Sequence, residues 1–334
     1  MKKFALIGTS HIHTPGFVKK LKDRNDIKVI AVWDKDESLA RKNAEILESK
    51  QFSDYQNILK DSELDAVIVC SETNLHENII NEVAEASKHC FVEKPLGIGH
   101  EDSEKMMKSL EKSGVLFQTG YFNRGNPVYR KLKELIDDGV FGKISRIRLI
   151  NCHNGLMRNI FDDYIWMTEP EKSGMGAFGD LGTHVLDLLL WFMSDLKSVT
   201  ATFSQPLGRY PGCDECGEAL LKFESGVIAS IAAGWVDVAQ PYTAFVSGTE
   251  AHAMVNTKEI FLKSEKFADA DGVTPLKNLP DALPHAFDLF LNAVVSGKNE
   301  HLVSVREAAY RSTIMEAIYK AEKDNSWVSV KPFV

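Results

Sequence analysis

The N-terminal third of the chain alternates between short apolar runs and stretches with helical spacing, and this alternation constrains the fold more than any other feature. Apolar runs occupy residues 2–7, 27–33, 64–70, 90–92 and 115–117. Between them, apolar residues recur every three or four positions, which is typical of helices. Strands that alternate with helices predict a mostly parallel sheet with helices on both faces, and ligands bind beyond the carboxyl ends of such strands.

Two strand ends indicate a dinucleotide site. Gly8 follows the first run, where it would make a sharp turn into a helix whose first amides hold a pyrophosphate. Asp34 ends the second apolar segment, where an acid bonds the ribose diol and repels a 2′-phosphate. The pattern therefore favours NAD, and the neighbouring Lys35 leaves NADP open. Residues 8–13 carry serine and histidine where the second and third glycines of the usual fingerprint stand.

Three polar residues in two further segments are candidates for catalysis. Lys94 lies in the segment Glu93-Lys94-Pro95 after an apolar run, and Asp180 and His184 open a helix-like segment. Because these last two are four residues apart, a helix would place both side chains on one face. Oxidation of a secondary alcohol needs a base that titrates near neutrality, which favours His184. We expect Asp180 to orient that ring or bond a neighbouring hydroxyl, and Lys94 to polarise the reacting oxygen.

Several motifs occur in a fixed order along the chain. They are the glycine turn, Asp34, Ser71-x-Thr73-Asn74-x-x-His76, Glu93-Lys94-Pro95 and Gly174-x-Gly176-x-x-Gly179-Asp180-x-Gly182-x-His184-x-x-Asp187. In this order they resemble the Gfo/Idh/MocA oxidoreductases, and the resemblance covers nearly the whole chain. It implies an α/β Rossmann dinucleotide-binding domain over residues 1–121. An α+β domain with an open, mostly antiparallel sheet would follow over residues 122–334 and serve substrate binding and oligomerisation.

The resemblance also implies an NAD(P)-dependent dehydrogenase or reductase that moves a hydride to or from a sugar, cyclitol or related polyol, as a homo-oligomer. Its catalytic residues would be Lys94, Asp180 and His184. The cofactor-binding residues would lie at strand ends and loops: Gly8, Thr9, Ser10, His11, Ile12, Asp34, Lys35, Ser71, Thr73, Asn74, His76, Glu93, Lys94, Tyr121 and Arg124. The substrate-binding residues would be Lys94, Tyr121, Asn123, His153, Trp166, Asp180 and His184. Arg158 and His285 are further pocket candidates, and an arginine would suit a carboxylated substrate.

The second half of the chain reads mainly as strands with few intervening helices. The strand candidates are residues 144–150, 199–203, 219–223, 227–233, 243–246 and 253–255. We expect helices near residues 185–192 and 286–295 to cover one face of their sheet. A long amphipathic helix is predicted over residues 306–323 and a closing strand over 327–330. Residues 268–284 carry glycine, aspartate and three prolines and are typical of a loop.

The composition of the chain argues against some classes of protein. The formal net charge of −8 argues against an extended nucleic-acid surface, which needs a basic face. No apolar run reaches the roughly twenty residues that cross a bilayer, and no signal peptide is evident. Five cysteines are an odd number that suits a reducing compartment, so we expect a cytoplasmic protein. Residues 213–216 form a Cys-x-x-Cys that we interpret as part of a loop.

Other functions remain open from sequence alone. Asp180 could cap a helix, and a lone His184 could be a bonded core residue. A sensor of the same fold could bind dinucleotide or sugar without turnover. Metal-assisted hydrolysis would require His11 and His13 to converge with acids, but a His-x-His here more simply replaces glycine in the cofactor turn. We therefore predict no metal.

Overall fold

The structure is a computed structural model, and it describes residues 1–331. The helices of this part of the chain are α1 (Thr14–Lys22), α2 (Glu37–Ile46), α3 (Tyr55–Leu59), α4 (His76–Glu85), α5 (His100–Ser113), α6 (Pro127–Asp137), α7 (Pro170–Ser173), α8 (Ala177–Phe192), α9 (Ala286–Ser296) and α10 (Val305–Lys323). Within residues 1–331, no helix combines the length and apolar character that crossing a bilayer requires.

The strands fall into two sheets. They are β1 (Lys2–Ile7), β2 (Ile27–Trp33), β3 (Lys50–Gln51), β4 (Ala66–Val69), β5 (His89–Val92), β6 (Phe117–Thr119), β7 (Ile144–Cys152), β8 (Leu196–Ser204), β9 (Cys216–Phe223), β10 (Ile228–Gly234), β11 (Ala244–Gly248), β12 (Ala251–Val255), β13 (Ile260–Ser264), β14 (Asp271–Pro275) and β15 (Val328–Ser329). The first six strands form one sheet and the remaining nine form the other.

The chain divides into two compact units. The first unit comprises Met1–Gly120, Tyr164–Gly174 and Pro284–Thr313. The second comprises Tyr121–Asp163, Met175–Leu283 and, within the described residues, the chain from Ile314 to Lys331. Two segments that the sequence assigned to the second domain therefore group with the first unit.

The sheet of the first unit has the strand order β3-β2-β1-β4-β5-β6, and all its strands run parallel. The predicted Rossmann-type architecture is confirmed. Strands β1 and β4 are neighbours although β2 and β3 come between them in sequence, so the strand order reverses between them. In doubly wound sheets, the carboxyl ends of the strands at such a reversal form the ligand crevice.

Helix α9 belongs to the core of the first unit. Phe287 and Phe290 pack in one apolar cluster with Phe4 of β1, and the Phe287 ring stacks on Phe17 of α1 with ring centroids 4.2 Å apart. The expectation that residues 286–295 cover the second sheet is therefore wrong. The helical period showed an apolar face, but it could not show which sheet that face contacts.

The sheet of the second unit has the order β14-β13-β12-β11-β7-β10-β9-β8-β15. Only β7 and β10 pair in parallel among its described strands, and the other pairs are antiparallel. Helix α8 packs on β7, β9 and β10, as predicted for residues 185–192. Strand β14 lies within residues 268–284, so the interpretation of that whole stretch as a loop is wrong. Its side chains are mostly exposed, which left no apolar run to detect.

We expect Phe287→Ala to lower the free energy of unfolding of the first unit by roughly 3–5 kcal/mol, because the side chain is fully buried and its removal leaves a cavity. The matched control is Phe267→Ala, which truncates a phenylalanine that is 46% exposed and should change stability by less than about 1 kcal/mol. Urea unfolding followed by circular dichroism measures both. Equal losses in the two variants would contradict the placement of α9.

Candidate functional site

The turn after β1 depends on glycine at position 8. Gly8 has a φ of 79°, a conformation that side chains other than glycine adopt rarely. A Cβ at this position would lie 2.5 Å from the backbone nitrogen of Ser71, which directly follows β4. The close approach of two backbones at the carboxyl edge therefore requires glycine, as the fingerprint predicted.

Asp34 organises the loop that follows Gly8. Its carboxylate accepts hydrogen bonds from the backbone and the hydroxyl of Thr9, the latter at 3.0 Å, and from the backbone of Asp36 at 2.8 Å. Burial raises the pKa of this carboxyl above its ordinary value, although these hydrogen bonds act in the opposite direction. Lys35 forms an ion pair with Glu72 at 2.7 Å. Glu72 therefore partly neutralises the positive charge of Lys35, which was the reason to consider NADP as a cofactor.

Several backbone amides of the loop after Gly8 donate hydrogen bonds within the chain. A simple pyrophosphate cradle would instead need these amides to donate to the ligand. The backbone nitrogen of His11 donates to the carbonyl oxygen of Cys70, and that of Thr14 donates to His11. The backbone nitrogen of His13 donates to Nδ1 of His11. Trp166 donates from Nε1 to the carbonyl oxygen of Ser10 at 2.9 Å. Trp166 thus supports the loop that follows β1, a contact that its prediction as a substrate residue did not anticipate.

The residues after β4 and β5 are buried together. The Nδ1 atom of His76 lies 3.0 Å from the carbonyl oxygen of Leu96, and burial lowers the pKa of this imidazole, which keeps it neutral. Lys94 follows β5, is 3% exposed and joins Pro95 through a cis peptide bond. Glu93 is fully buried, and its Oε2 accepts the backbone N–H of Lys94 at 2.9 Å.

The remaining cofactor candidates lie in or beside the same loops. Ile12 is half-buried in the loop before α1, Thr73 is buried in the turn after β4, and the neighbouring Asn74 is exposed. Their predicted contacts with cofactor stay predictions.

In the second unit, Asp180 and His184 lie one turn apart on α8, as their spacing predicted. The Asp180 carboxylate accepts a hydrogen bond from Nε1 of Trp235 at 3.0 Å. His184 is buried, and its ring centroid lies 5.2 Å from that of Phe122 and 6.2 Å from that of Tyr121. The acid is thus oriented by a tryptophan, and the imidazole lies beside two aromatic rings.

Two predicted residues that follow β6 bind the same helix. The hydroxyl of Tyr121 lies 2.9 Å from that of Thr183, and Nε of Arg124 donates to Asp187 at 2.9 Å. Asp187 is almost fully buried, so Arg124 compensates a charge that would otherwise be costly. Tyr121 and Arg124 therefore support α8 around His184. Their contacts with cofactor or substrate stay predictions.

A polar network that the sequence did not reveal holds the first turn of α8. The Asp214 carboxylate accepts the backbone N–H of Phe178 at 2.6 Å and the hydroxyl of Tyr319 at 2.7 Å. The Tyr319 oxygen in turn accepts the N–H groups of Gly176 and Gly179, both at 3.0 Å. Burial raises the pKa of Tyr319 well above its ordinary value, so the phenol stays a donor to Asp214. Asp214 lies inside the Cys-x-x-Cys segment, which therefore has a structural role in this fold.

The other pocket candidates are spread over both units. Nδ1 of His153 accepts the N–H of Gly155 at 2.9 Å, and Nδ1 of His285 accepts the N–H of Phe287 as the cap of α9. Asn123 lies in the short turn before α6 and is half-buried, and Arg158 is exposed. His285 is thus a helix cap, and the pocket role of the others stays a prediction.

These arrangements define a dinucleotide-binding fold with polar groups at strand ends, followed by a unit that carries an acid and an imidazole on one helix. Two family sequence models match the chain. The oxidoreductase family's NAD-binding Rossmann fold matches residues 2–121, and the GFO/IDH/MocA C-terminal domain matches residues 129–254. The chain therefore belongs to the GFO/IDH/MocA oxidoreductase family, and its N-terminal part is the NAD-binding Rossmann domain of that family.

Relatives with assigned activities include two inositol dehydrogenases. The myo-inositol 2-dehydrogenase of Thermotoga maritima is 31% identical over 231 residues, which are 67% of this chain and 64% of the relative. The NAD⁺-dependent scyllo-inositol 2-dehydrogenase of Bacillus subtilis is 29% identical over 239 residues, which are 69% of this chain and 66% of the relative. The matched segments thus span somewhat less than two thirds of either relative.

A solved structure shows the same fold over nearly the whole chain. The WlbA dehydrogenase of Bordetella pertussis, in complex with NADH and UDP-GlcNAcA, aligns with a TM-score of 0.80 and 20% sequence identity. The alignment covers 99% of both chains.

We expect Gly8→Ala to destabilise the first unit, because a positive φ costs about 1–3 kcal/mol in other residues and the new Cβ would collide with backbone atoms. The matched control is Gly16→Ala, since Gly16 lies in α1 with no atom within 4 Å of the added Cβ. That change should be neutral or should stabilise by up to about 1 kcal/mol. Thermal unfolding compares the two variants, and a Gly8→Ala protein as stable as the control would refute the close approach.

Proposed function

We propose that this chain is an NAD-dependent oxidoreductase that transfers a hydride between a secondary alcohol carbon of a carbohydrate or cyclitol and the nicotinamide. One observation carries the proposal. Helix α8 presents Asp180 and His184 on one face in a chain whose N-terminal part is an NAD-binding Rossmann domain. A carboxylate beside an imidazole is suited to moving the proton of a hydroxyl group.

The N-terminal domain fits the dinucleotide. Gly8 permits close approach to the backbone at the β1 and β4 ends, where the strand order reverses. Asp34 lies at the end of β2, where a carboxylate can accept bonds from a ribose diol and would repel a 2′-phosphate. When bound, the nicotinamide ring would supply the acceptor for the hydride. These features support NAD rather than NADP for this chain.

His184 is the proposed base. As the alcohol is oxidised, its hydroxyl proton passes from the oxygen to the imidazole. The hydride, with its two electrons, leaves the carbon that bears this hydroxyl group and passes to the nicotinamide. The His184 side chain is buried beside the rings of Tyr121 and Phe122, and this burial restricts water around the imidazole. Asp180, oriented by Trp235, binds the reacting or the adjacent hydroxyl group.

Lys94 is proposed to stabilise the negative charge that develops on the reacting oxygen. Its backbone N–H is bound by the Glu93 carboxylate, and its side chain is almost fully buried at the end of β5. A buried ammonium group acts in a lower dielectric than a surface lysine, so its field on a nearby oxygen is stronger. We propose that Lys94, Asp180 and His184 act in the same reaction.

The substrate class rests on the relatives. Two of them are named as inositol dehydrogenases, and we propose that a polyhydroxylated ring is also the substrate here. Homo-oligomerisation and a cytoplasmic location, expected from the sequence, also stay predictions.

The test is to incubate the full chain with NAD and a panel of cyclitols, hexoses, anhydrosugars and uronic acids and to follow nicotinamide absorbance. Turnover with at least one ring polyol is expected. Lys94→Ala and His184→Asn should each lower kcat by about 10²–10⁴, the usual contribution of a positioned proton-transfer group or charge. The controls are Lys298→Ala and His252→Asn, which alter exposed residues of the same types and should leave kcat unchanged.

Two outcomes would count against the proposal. Tight NADH binding without turnover on any alcohol would favour a sensor of the same fold. Turnover that survives in both Lys94→Ala and His184→Asn would reject the assigned roles.

A further inference from the structure

Three potential metal ligands converge in the first unit, and two of them, His11 and Glu93, are also predicted cofactor-binding residues. His11 and His13 come from the loop before α1, and Glu93 directly follows β5. One ligand atom from each of the three residues lies within 4.8 Å of the other two. The sequence pointed to His-x-His but gave no third ligand, because Glu93 is eighty residues further along the chain than His13.

The surrounding structure orients these side chains. The His11 ring is buried, its Nδ1 accepts the backbone N–H of His13 at 3.2 Å, and its centroid lies 5.9 Å from that of Trp166. The His13 ring centroid lies 4.8 Å from that of His11, and its Nδ1 lies 3.2 Å from Oε1 of Glu93. Both imidazoles are therefore held beside one carboxylate by contacts within the first unit.

The Glu93 side chain lies in a fully buried position. A buried anion requires a compensating positive charge. A divalent cation bound by the same three side chains would provide that charge while both imidazoles stay neutral.

We propose that His11, His13 and Glu93 form a site for one divalent transition-metal ion of the Zn²⁺ class. Two imidazoles and one carboxylate are a donor set that such ions prefer, with a further position open to water. Tetrahedral ligands at about 2.1 Å from the metal lie roughly 3.4 Å apart, so the ligand atoms must draw together slightly. The His13 side chain is 40% exposed and has room for this movement.

The chemistry of the donors also sets the selectivity. Mg²⁺ and Ca²⁺ prefer six or more oxygen ligands, and this cluster offers a single carboxylate. Zn²⁺, Ni²⁺ and Co²⁺ bind imidazole well. The site should therefore discriminate transition metals from hard cations.

The experiment uses the full chain, treated with chelator and dialysed, and titrated with Zn²⁺ by calorimetry and with Co²⁺ by visible absorption. We expect one ion per chain and no comparable heat with Mg²⁺. His13→Asn and Glu93→Gln should each weaken Zn²⁺ binding at least tenfold, because each removes one of three ligands. The matched control is His252→Asn, which removes an exposed imidazole hydrogen-bonded to Ser247 on the second sheet and should bind Zn²⁺ as the unaltered chain does.

A second control addresses the thiols. Cys152 and Cys216 lie close enough to influence one another electrostatically, so a Cys152→Ser, Cys216→Ser double variant tests binding at sulfur. The proposal expects Zn²⁺ affinity to survive in this variant. It is overturned if the thiol variant loses the ion, if the unaltered chain binds none, or if His13→Asn, with a circular dichroism spectrum like that of the unaltered chain, binds as tightly.

Discussion

The parallel pairing of β1 with both β2 and β4 is the constraint on which the proposed chemistry of the first unit depends. It brings the ends of these strands to one edge, so that Gly8, Asp34 and Ser71 become neighbours although they are far apart in sequence. The backbone contact between Gly8 and Ser71 leaves no space for a side chain. Asp34 then bonds Thr9 and sets the path of the loop. The same edge continues to β5, where Glu93 and Lys94 follow the strand.

In the second unit, helix α8 begins with backbone amides that have no partner within the helix. Asp214 and Tyr319 satisfy them from two distant parts of the chain. Because this clamp holds the beginning of α8, it orients Asp180 in the first turn and His184 one turn later. Trp235 and Arg124 add further bonds along the helix. Much of the polar structure around the proposed catalytic residues therefore supports α8.

The sequence predicted local features well because they depend on the spacing of residues along the chain and on the positions at which strands end. The parallel sheet followed from the alternation of apolar runs with helical stretches, and the shared face of Asp180 and His184 followed from their spacing. Features set by contacts between distant residues were not predicted. The apolar face of α9 gave no information about its partner sheet, and Glu93 could not be connected with the two histidines. Tyr319 gave no signal of its bond to Asp214, because the two residues are 105 positions apart and local patterns do not report such a contact.

Lys94 and His184 are proposed to act in one reaction, and a double-mutant cycle measures whether they do. Steady-state kcat would be measured for Lys94→Ala, His184→Asn and the double variant on the best ring polyol. Residues that act as a unit give strongly non-additive losses. We predict that the double variant is about as active as the slower single variant. Losses that multiply, so that the double variant is slower by the product of the two single effects, would contradict the claim.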